Sequence, residues 1–188
     1  MLLPASRYEE AVEIARAETL ALKLGDPLDP ASFLGPMCSA SQRRTVLDYI
    51  RLGEEEGARL ICGGAERPAE LERGYYVQPT LFAAVDNSMR IAREEIFGPV
   101  LCLIPYADEA DALRIANDTP FGLSSAVWAG DRQRGLELAR QMRAGQCFVN
   151  GGAFNYRAPF GGYKQSGNGR EWGEEGLAEF IEHKAIQI

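Results

Sequence analysis

The sequence predicts an α/β fold: a mostly parallel sheet with helices on both faces, plus a C-terminal strand used in subunit association. Three observations predict it. Between Arg59 and Asn150, short apolar runs alternate with amphipathic stretches, the pattern of right-handed strand–helix–strand crossovers. The runs are apolar on both sides of the strand, as in Val100-Leu101-Cys102-Leu103-Ile104, which suits a sheet covered on both faces. The tail, Phe180 to Ile188, alternates like an exposed strand. A terminal strand with a free edge is a natural subunit contact.

A chain of 188 residues suffices for one domain with a sizeable core. Apolar content of 46% and charged content of 25% are those of a soluble globular protein. The net charge of −7 argues against nucleic-acid and anionic-membrane partners, both of which need a basic face. No apolar run reaches the ~18 residues that span a bilayer. The stretch Met1 to Arg7 shows no secretory pattern, so the expected location is cytoplasmic. The four cysteines, Cys38, Cys62, Cys102 and Cys147, contain no Cys-x-x-Cys pair. With His183 as the single histidine, no metal centre is expected.

The elements follow in order. Tyr8 to Leu20 reads as a helix burying Tyr8, Ala11, Val12 and Ala15, with Ser6 placed as its cap. Gly25-Asp26-Pro27 ends it. Ser39 to Glu56 is a second helix with Val46, Tyr49, Ile50 and Gly53 on its buried stripe. Arg59 to Cys62 is a short strand closed by Gly63-Gly64. Thr80-Leu81-Phe82 is extended. Pro79 cannot donate to a ladder, which predicts an edge or a bend there. Val100 to Ile104 is a strand that Pro105 is expected to stop. Asp108 opens a helix to about Asn117, and Ser124 to Trp128 is a strand. Asp131 caps a helix carrying Leu136, Leu138, Ala139 and Met142, and Gly145 ends it. Gln146 to Asn150 is the last strand of the alternation.

Two stretches are candidate sites. Glu94-Glu95-Ile96-Phe97-Gly98-Pro99 sets two carboxylates and an aromatic ring at the mouth of the strand from Val100. Composition alone favours a solvated turn there. The second runs from Asn150 to Lys164, is rich in glycine and aromatics, and lies past a strand's carboxyl end, where parallel sheets bind ligands. The glycines of 161–169 also invite a phosphate-cradle reading. They lack the Gly-x-x-x-x-Gly-Lys-Ser/Thr spacing, which favours a structural loop.

Four blocks carry a resemblance: Gly74-Tyr75-Tyr76-Val77-Gln78-Pro79-Thr80, Glu94 to Val100, Asn117-Asp118-Thr119-Pro120-Phe121-Gly122-Leu123-Ser124, and Pro159-Phe160-Gly161-Gly162-Tyr163-Lys164-Gln165-Ser166-Gly167-Asn168-Gly169-Arg170-Glu171. In that order and spacing the chain resembles the C-terminal portion of the aldehyde dehydrogenase superfamily, nearly end to end. The resemblance implies NAD or NADP as cofactor, a small-molecule aldehyde as substrate and oxidation through a cysteine thioester. It implies that residues 1–172 are a partial catalytic domain, that 173–188 are a C-terminal helix and oligomerisation strand, and that the protein is a homo-oligomer.

The same resemblance assigns residues. Glu95 resembles the glutamate that accepts from the nicotinamide ribose, Phe97 the aromatic beside the nicotinamide, and Leu123 a leucine near that ring. Phe154 and Phe160 resemble aromatics of the aldehyde tunnel. Arg157 stands between them, either selecting an anionic aldehyde or solvated on its loop. The family's Gly-Gln-x-Cys nucleophile block, its base glutamate and its dinucleotide fold do not match any part of these residues. Gly145-Gln146-Cys147 stands in the wrong place, and Cys147 reads as a core strand residue. No catalytic residue is therefore assigned, and the chain by itself is expected to be inactive. The other class of reading is a non-catalytic interaction module that keeps the family's subunit contact. A remodelled enzyme using Cys38 or Cys147 is the third.

Overall fold

The computed structural model describes residues 1–188. The chain divides into two compact units, Met1–Ala112 and Leu113–Ile188. The first contains β1 (Leu2–Pro4), α1 (Tyr8–Ala21), α2 (Ala40–Glu55), β2 (Arg59–Cys62), β3 (Thr80–Ala83), α3 (Arg90–Arg93), β4 (Val100–Cys102) and β5 (Ile104–Tyr106). The second contains β6 (Ser124–Val127), α5 (Arg132–Ala139), β7 (Gln146–Val149) and α6 (Gly173–Ala178). Helix α4 (Glu109–Asn117) runs across the division.

The fold is mixed α/β and its pairing is mostly parallel, distributed over three small sheets rather than one. β1 pairs β5 in parallel, β3 pairs β4 in parallel, and β6 pairs β7 in parallel; only β2 and β3 are antiparallel. The β6–α5–β7 unit is the crossover that the alternation predicts.

Capping explains where two of the helices begin. The Ser39 hydroxyl accepts from the Gln42 amide at the start of α2, and the Asp131 carboxylate accepts from the Arg134 amide at the start of α5. Ser6 does not cap α1. Ala5–Arg7 form one turn of 3-10 helix that leads directly into α1, so Ser6 lies inside a turn instead of in front of one.

Two proline expectations are corrected. Pro79 stands just ahead of β3, where its missing N–H interrupts no rung, and β3 is the centre of its sheet. All four of its residues are buried. Pro105 does not stop the strand from Val100. The strand changes partner instead: Leu103 donates to the Phe82 carbonyl and Ile104 to the Met1 carbonyl. Pro105 then lies within β5, opposite Leu3. Only alternate residues send their N–H to a given neighbour, so a proline after Ile104 costs β5 no bond to β1.

The core of the first unit gathers Leu3, Tyr8, Val12, Leu81, Ala83 and Leu103. Tyr8 brings a polar atom inside and satisfies it twice. Its hydroxyl donates to the Leu103 carbonyl at 2.8 Å and accepts from the Ala84 amide at 2.7 Å. Ala84 has φ +51, so this bond also anchors an unfavourable backbone at the end of β3.

The expected terminal strand has no ladder within the chain. Residues 181–188 are exposed and form no strand pairing. Alternation prepares a segment for a sheet, but a strand exists only where a neighbour supplies its hydrogen bonds. No helix is long and apolar enough to cross a membrane.

Candidate functional site

The loop from Glu94 to Gly98 is shaped by α2. Three residues on one face of that helix, Gln42, Val46 and Tyr49, meet it in turn, at helical spacing. Gln42 Nε2 donates to the Phe97 carbonyl at 2.7 Å and to the Ile96 carbonyl at 3.3 Å. Val46 lies against Gly98 so closely that a Cβ there would come within 2.5 Å of its methyl group. Tyr49 donates its hydroxyl to Glu94 Oε2 at 2.6 Å.

Glu94 and Glu95 have opposite environments. Arg90 grips the Glu94 carboxylate with Nε at 2.8 Å and Nη2 at 2.9 Å. These bonds, followed by the one from Tyr49, hold the Glu94 carboxyl down at about 2. Three donors thus occupy the Glu94 carboxylate. Glu95 is exposed and makes no ion pair or hydrogen bond in the chain. Phe97 has φ +51 and its side chain is 74% exposed, an uncommon state for an aromatic. The loop therefore presents an acceptor and an apolar ring. Gln42, Tyr49 and Arg90 were not legible as site-builders. Only the Arg90/Glu94 spacing of four residues hinted at a pair.

In the second unit, Leu123 stands just before β6, 41% exposed, its carbonyl accepting from the Gln146 amide. Past the other end of the ladder, Asn150 has φ +49 and clasps Ala129. Its Oδ1 accepts from the Ala129 amide and its Nδ2 donates to the Ala129 carbonyl, both at 2.8 Å. The side chain thus imitates a backbone rung and fixes where the glycine-rich loop departs.

That loop carries an aromatic cluster. Phe154 lies 6.4 Å from Phe160, centroid to centroid, so the two expected tunnel residues do come together. Phe148, Tyr156 and Trp172 join them, with Trp172 at 5.3 Å from Phe154 and 5.1 Å from Phe160. Sequence reasoning missed these three. Tyr156 lies within the candidate stretch from Asn150 to Lys164, but Trp172 arrives because Phe160 and Glu171 pair as an antiparallel bridge. Arg157 is exposed; its amide donates to Asn155 and its guanidinium forms no ion pair.

The loop 161–169 is structural. Lys164 Nζ donates to the carbonyls of Asn117 at 2.8 Å and Thr119 at 3.0 Å. Arg170 donates to the carbonyls of Gly162 and Gly169 and lies over the Tyr163 ring. Both cations are committed to main-chain oxygens. The glycines serve close packing: a Cβ on Gly145 would lie 1.6 Å from the Gly161 oxygen. No group of His, Cys, Asp or Glu residues is arranged to hold a metal ion. Cys147 lies half-buried within β7, as a packing residue would.

The first unit thus offers a free carboxylate beside an exposed ring, suited to hydroxyl donors and a flat heterocycle. The second offers an aromatic surface suited to an apolar chain.

Comparison with known proteins gives these features a context. The family model described as "Aldehyde dehydrogenase family" matches residues 1–186. A 3-succinoylsemialdehyde-pyridine dehydrogenase of a Pseudomonas species is 51% identical over 186 residues, covering 99% of this chain and 39% of that protein. Geranial dehydrogenase of Castellaniella defragrans is 46% identical over 188 residues, covering 100% of this chain and 39% of that protein. Among solved structures, a Mycobacterium tuberculosis aldehyde dehydrogenase complexed with NAD+ superposes with TM-score 0.92 at 51% identity, over 95% of this chain and 37% of that one. A mutant aldehyde dehydrogenase C of Pseudomonas syringae, complexed with NAD+ and octanal, superposes with TM-score 0.95 at 46% identity, over 99% of this chain and 38% of that one. The chain spans about 39% of the length of the curated relatives it matches. With a family model over almost all of its length and the same fold in its neighbours, the chain belongs to the aldehyde dehydrogenase family.

Proposed function

We propose that these residues supply the C-terminal part of the catalytic domain of an NAD(P)-dependent aldehyde dehydrogenase. The observation that carries the reading is the contrast between Glu94, held by three bonds from Arg90 and Tyr49, and Glu95, exposed and unpaired one residue on. Packing consumes one carboxylate to steady the loop and leaves the other as an acceptor. Glu95 fits the ribose hydroxyls of a nicotinamide nucleotide, and Phe97 fits the flank of its ring. When bound, that cofactor accepts hydride from the substrate. Leu123 belongs with the same assignment. Phe154 and Phe160 give an aldehyde chain an apolar wall and keep water from it. Arg157, unpaired beside them, would favour an anionic aldehyde. The family's cysteine nucleophile and glutamate base match no residue here, so the chain by itself is inactive. Four free cysteines fit a reducing, cytoplasmic location.

A chimera tests the reading. These 188 residues replace the corresponding segment of the geranial dehydrogenase. The chimera reduces NAD+ with an aldehyde, the chain alone does not, and Glu95→Gln in the chimera raises the KM for NAD+ about tenfold, the loss of one hydrogen bond to a charged acceptor. A soluble, folded chimera in which Glu95→Gln leaves that KM unchanged sinks the assignment.

A second reading is favoured by the tail. Phe180, Ile186 and Ile188 are 87%, 82% and 123% exposed, on a segment with no ladder of its own. Residues 173–188 would act as an oligomerisation element that pairs with a further copy of the chain, with or without catalysis. Sedimentation gives an oligomer that deletion of 180–188 converts to monomer. A monomer with the tail intact removes this reading.

A further inference from the structure

Trp172 adopts φ +59 and ψ +170, a region that glycine occupies almost alone. Such a conformation persists only where the surroundings over-determine it. Here the surroundings are three rings. Trp172 meets Phe154 edge-on at 5.3 Å and 87°, Phe160 at 5.1 Å and Tyr156 at 5.5 Å. Its backbone is held on one side by the bridge between Phe160 and Glu171, with N–H···O distances of 2.8 and 2.7 Å. On the other side Gly173, φ +62, lies against the Arg157 carbonyl.

The exposed loop 151–157 has little else to hold it. Its hydrogen bonds are local: Gly152 to Val149, Arg157 to the Asn155 side chain, and Ala158 to Asn155. None reaches a distant part of the chain. The position of Phe154 is therefore set by ring contacts: Phe148 of β7 at 6.2 Å, and Trp172, the ring that touches Phe154, Tyr156 and Phe160 together.

We propose that Trp172 is a positioning residue: its strained backbone aims the indole into the loop and fixes Phe154 and Phe160 relative to each other. Its bearing on the substrate, the shaping of the surface that receives the aldehyde's chain, rests on the function proposed above.

The test uses Trp172→Gly, Trp172→Ala and Trp172→Phe in the full 188-residue chain. Glycine relieves the backbone strain while removing the ring, so hydrogen exchange across 152–157 accelerates about tenfold or more while exchange in β6 and β7 stays slow. Phenylalanine restores slow exchange in part. Unchanged exchange in the glycine variant overturns the proposal. So does acceleration spread evenly over β6, α5 and β7, which is the behaviour of a plain packing residue. The chimera gives a separate arm. If it turns over no aldehyde, the function reading fails while the exchange result stands. If it is active, Trp172→Ala flattens its preference among straight-chain aldehydes through KM more than through kcat, and an unchanged profile breaks the link to substrate.

Discussion

The Tyr49 hydroxyl donates to Glu94 across 45 residues of sequence at 2.6 Å, and Arg90 grips the same carboxylate. This makes Glu94 a strut of the loop and leaves Glu95 as the group on display. Tyr49→Phe keeps the ring and removes only the donor. The expected result is faster amide exchange across 95–98 with little change in global stability, since exposed charge-assisted contacts contribute little to ΔG. Hydrogen exchange by mass spectrometry reads it, and loss limited to the α2 peptide would contradict it.

The same strut has an acid limit. The Glu94 carboxyl sits at about 2, below its ordinary value of 4.5, because Arg90 and Tyr49 bind its charged form. A depressed carboxyl gives stabilisation that is complete above the unfolded value and is lost as pH falls through the folded one. The loop is therefore ordered at pH 5 and loosens between about pH 4.5 and 2. An NMR titration of the Gly98 amide follows it, and in Glu94→Gln that titration step disappears.

Tyr8→Phe tests the buried hydroxyl. The variant leaves the part-buried Ala84 N–H without its acceptor at the end of β3 and removes one bond to the Leu103 carbonyl, and each lost hydrogen bond costs about 0.5–1.5 kcal/mol. Burial also raises the hydroxyl's own pKa. Urea denaturation monitored on the first unit should show a lower midpoint, and an unchanged midpoint would mean that water replaces the bond.

Thiol reactivity should follow exposure. Cys38 is exposed, while burial pushes the Cys102 thiol up to about 11 and raises that of Cys62. Thiolates are the reactive form. Brief alkylation of native protein at pH 8 therefore marks Cys38 and spares Cys62 and Cys102, as peptide mapping will show. Equal labelling of Cys102 would refute its placement against the Ile91 carbonyl.

Gly145→Ala probes the junction of β7 with the loop 161–169. The added methyl would overlap the Gly161 oxygen. Overpacking against backbone costs about 1–3 kcal/mol or more, so the variant should lose Tm in calorimetry, whereas Gly130→Ala, where a Cβ meets nothing within 4 Å, should not.

Local signals were legible. Arg59–Cys62 is a strand with the boundaries its residues suggest, and Ser39 and Asp131 cap the helices that follow them. These depend on a few neighbouring residues. What stayed hidden depends on distant partners. Glu94 and Glu95 are the same residue type side by side, and only Tyr49 and Arg90 distinguish them. Pro79 and Pro105 correctly signal a missing donor, but whether that donor is needed depends on which strand lies alongside. The positive φ of Phe97 and Trp172 has no trace in composition, because neither is a residue that prefers it. Phe154 and Phe160 were singled out through family resemblance, and Trp172 joins them through Glu171 pairing with Phe160.

The clasp of Asn150 on Ala129 separates two kinds of change. Because a side chain closes the last rung, β6 and β7 are tied off before the glycine-rich loop begins. Residues can be added, removed or exchanged in 151–157 without a register shift in either strand. The strand register and the surface that the loop displays can then diverge independently.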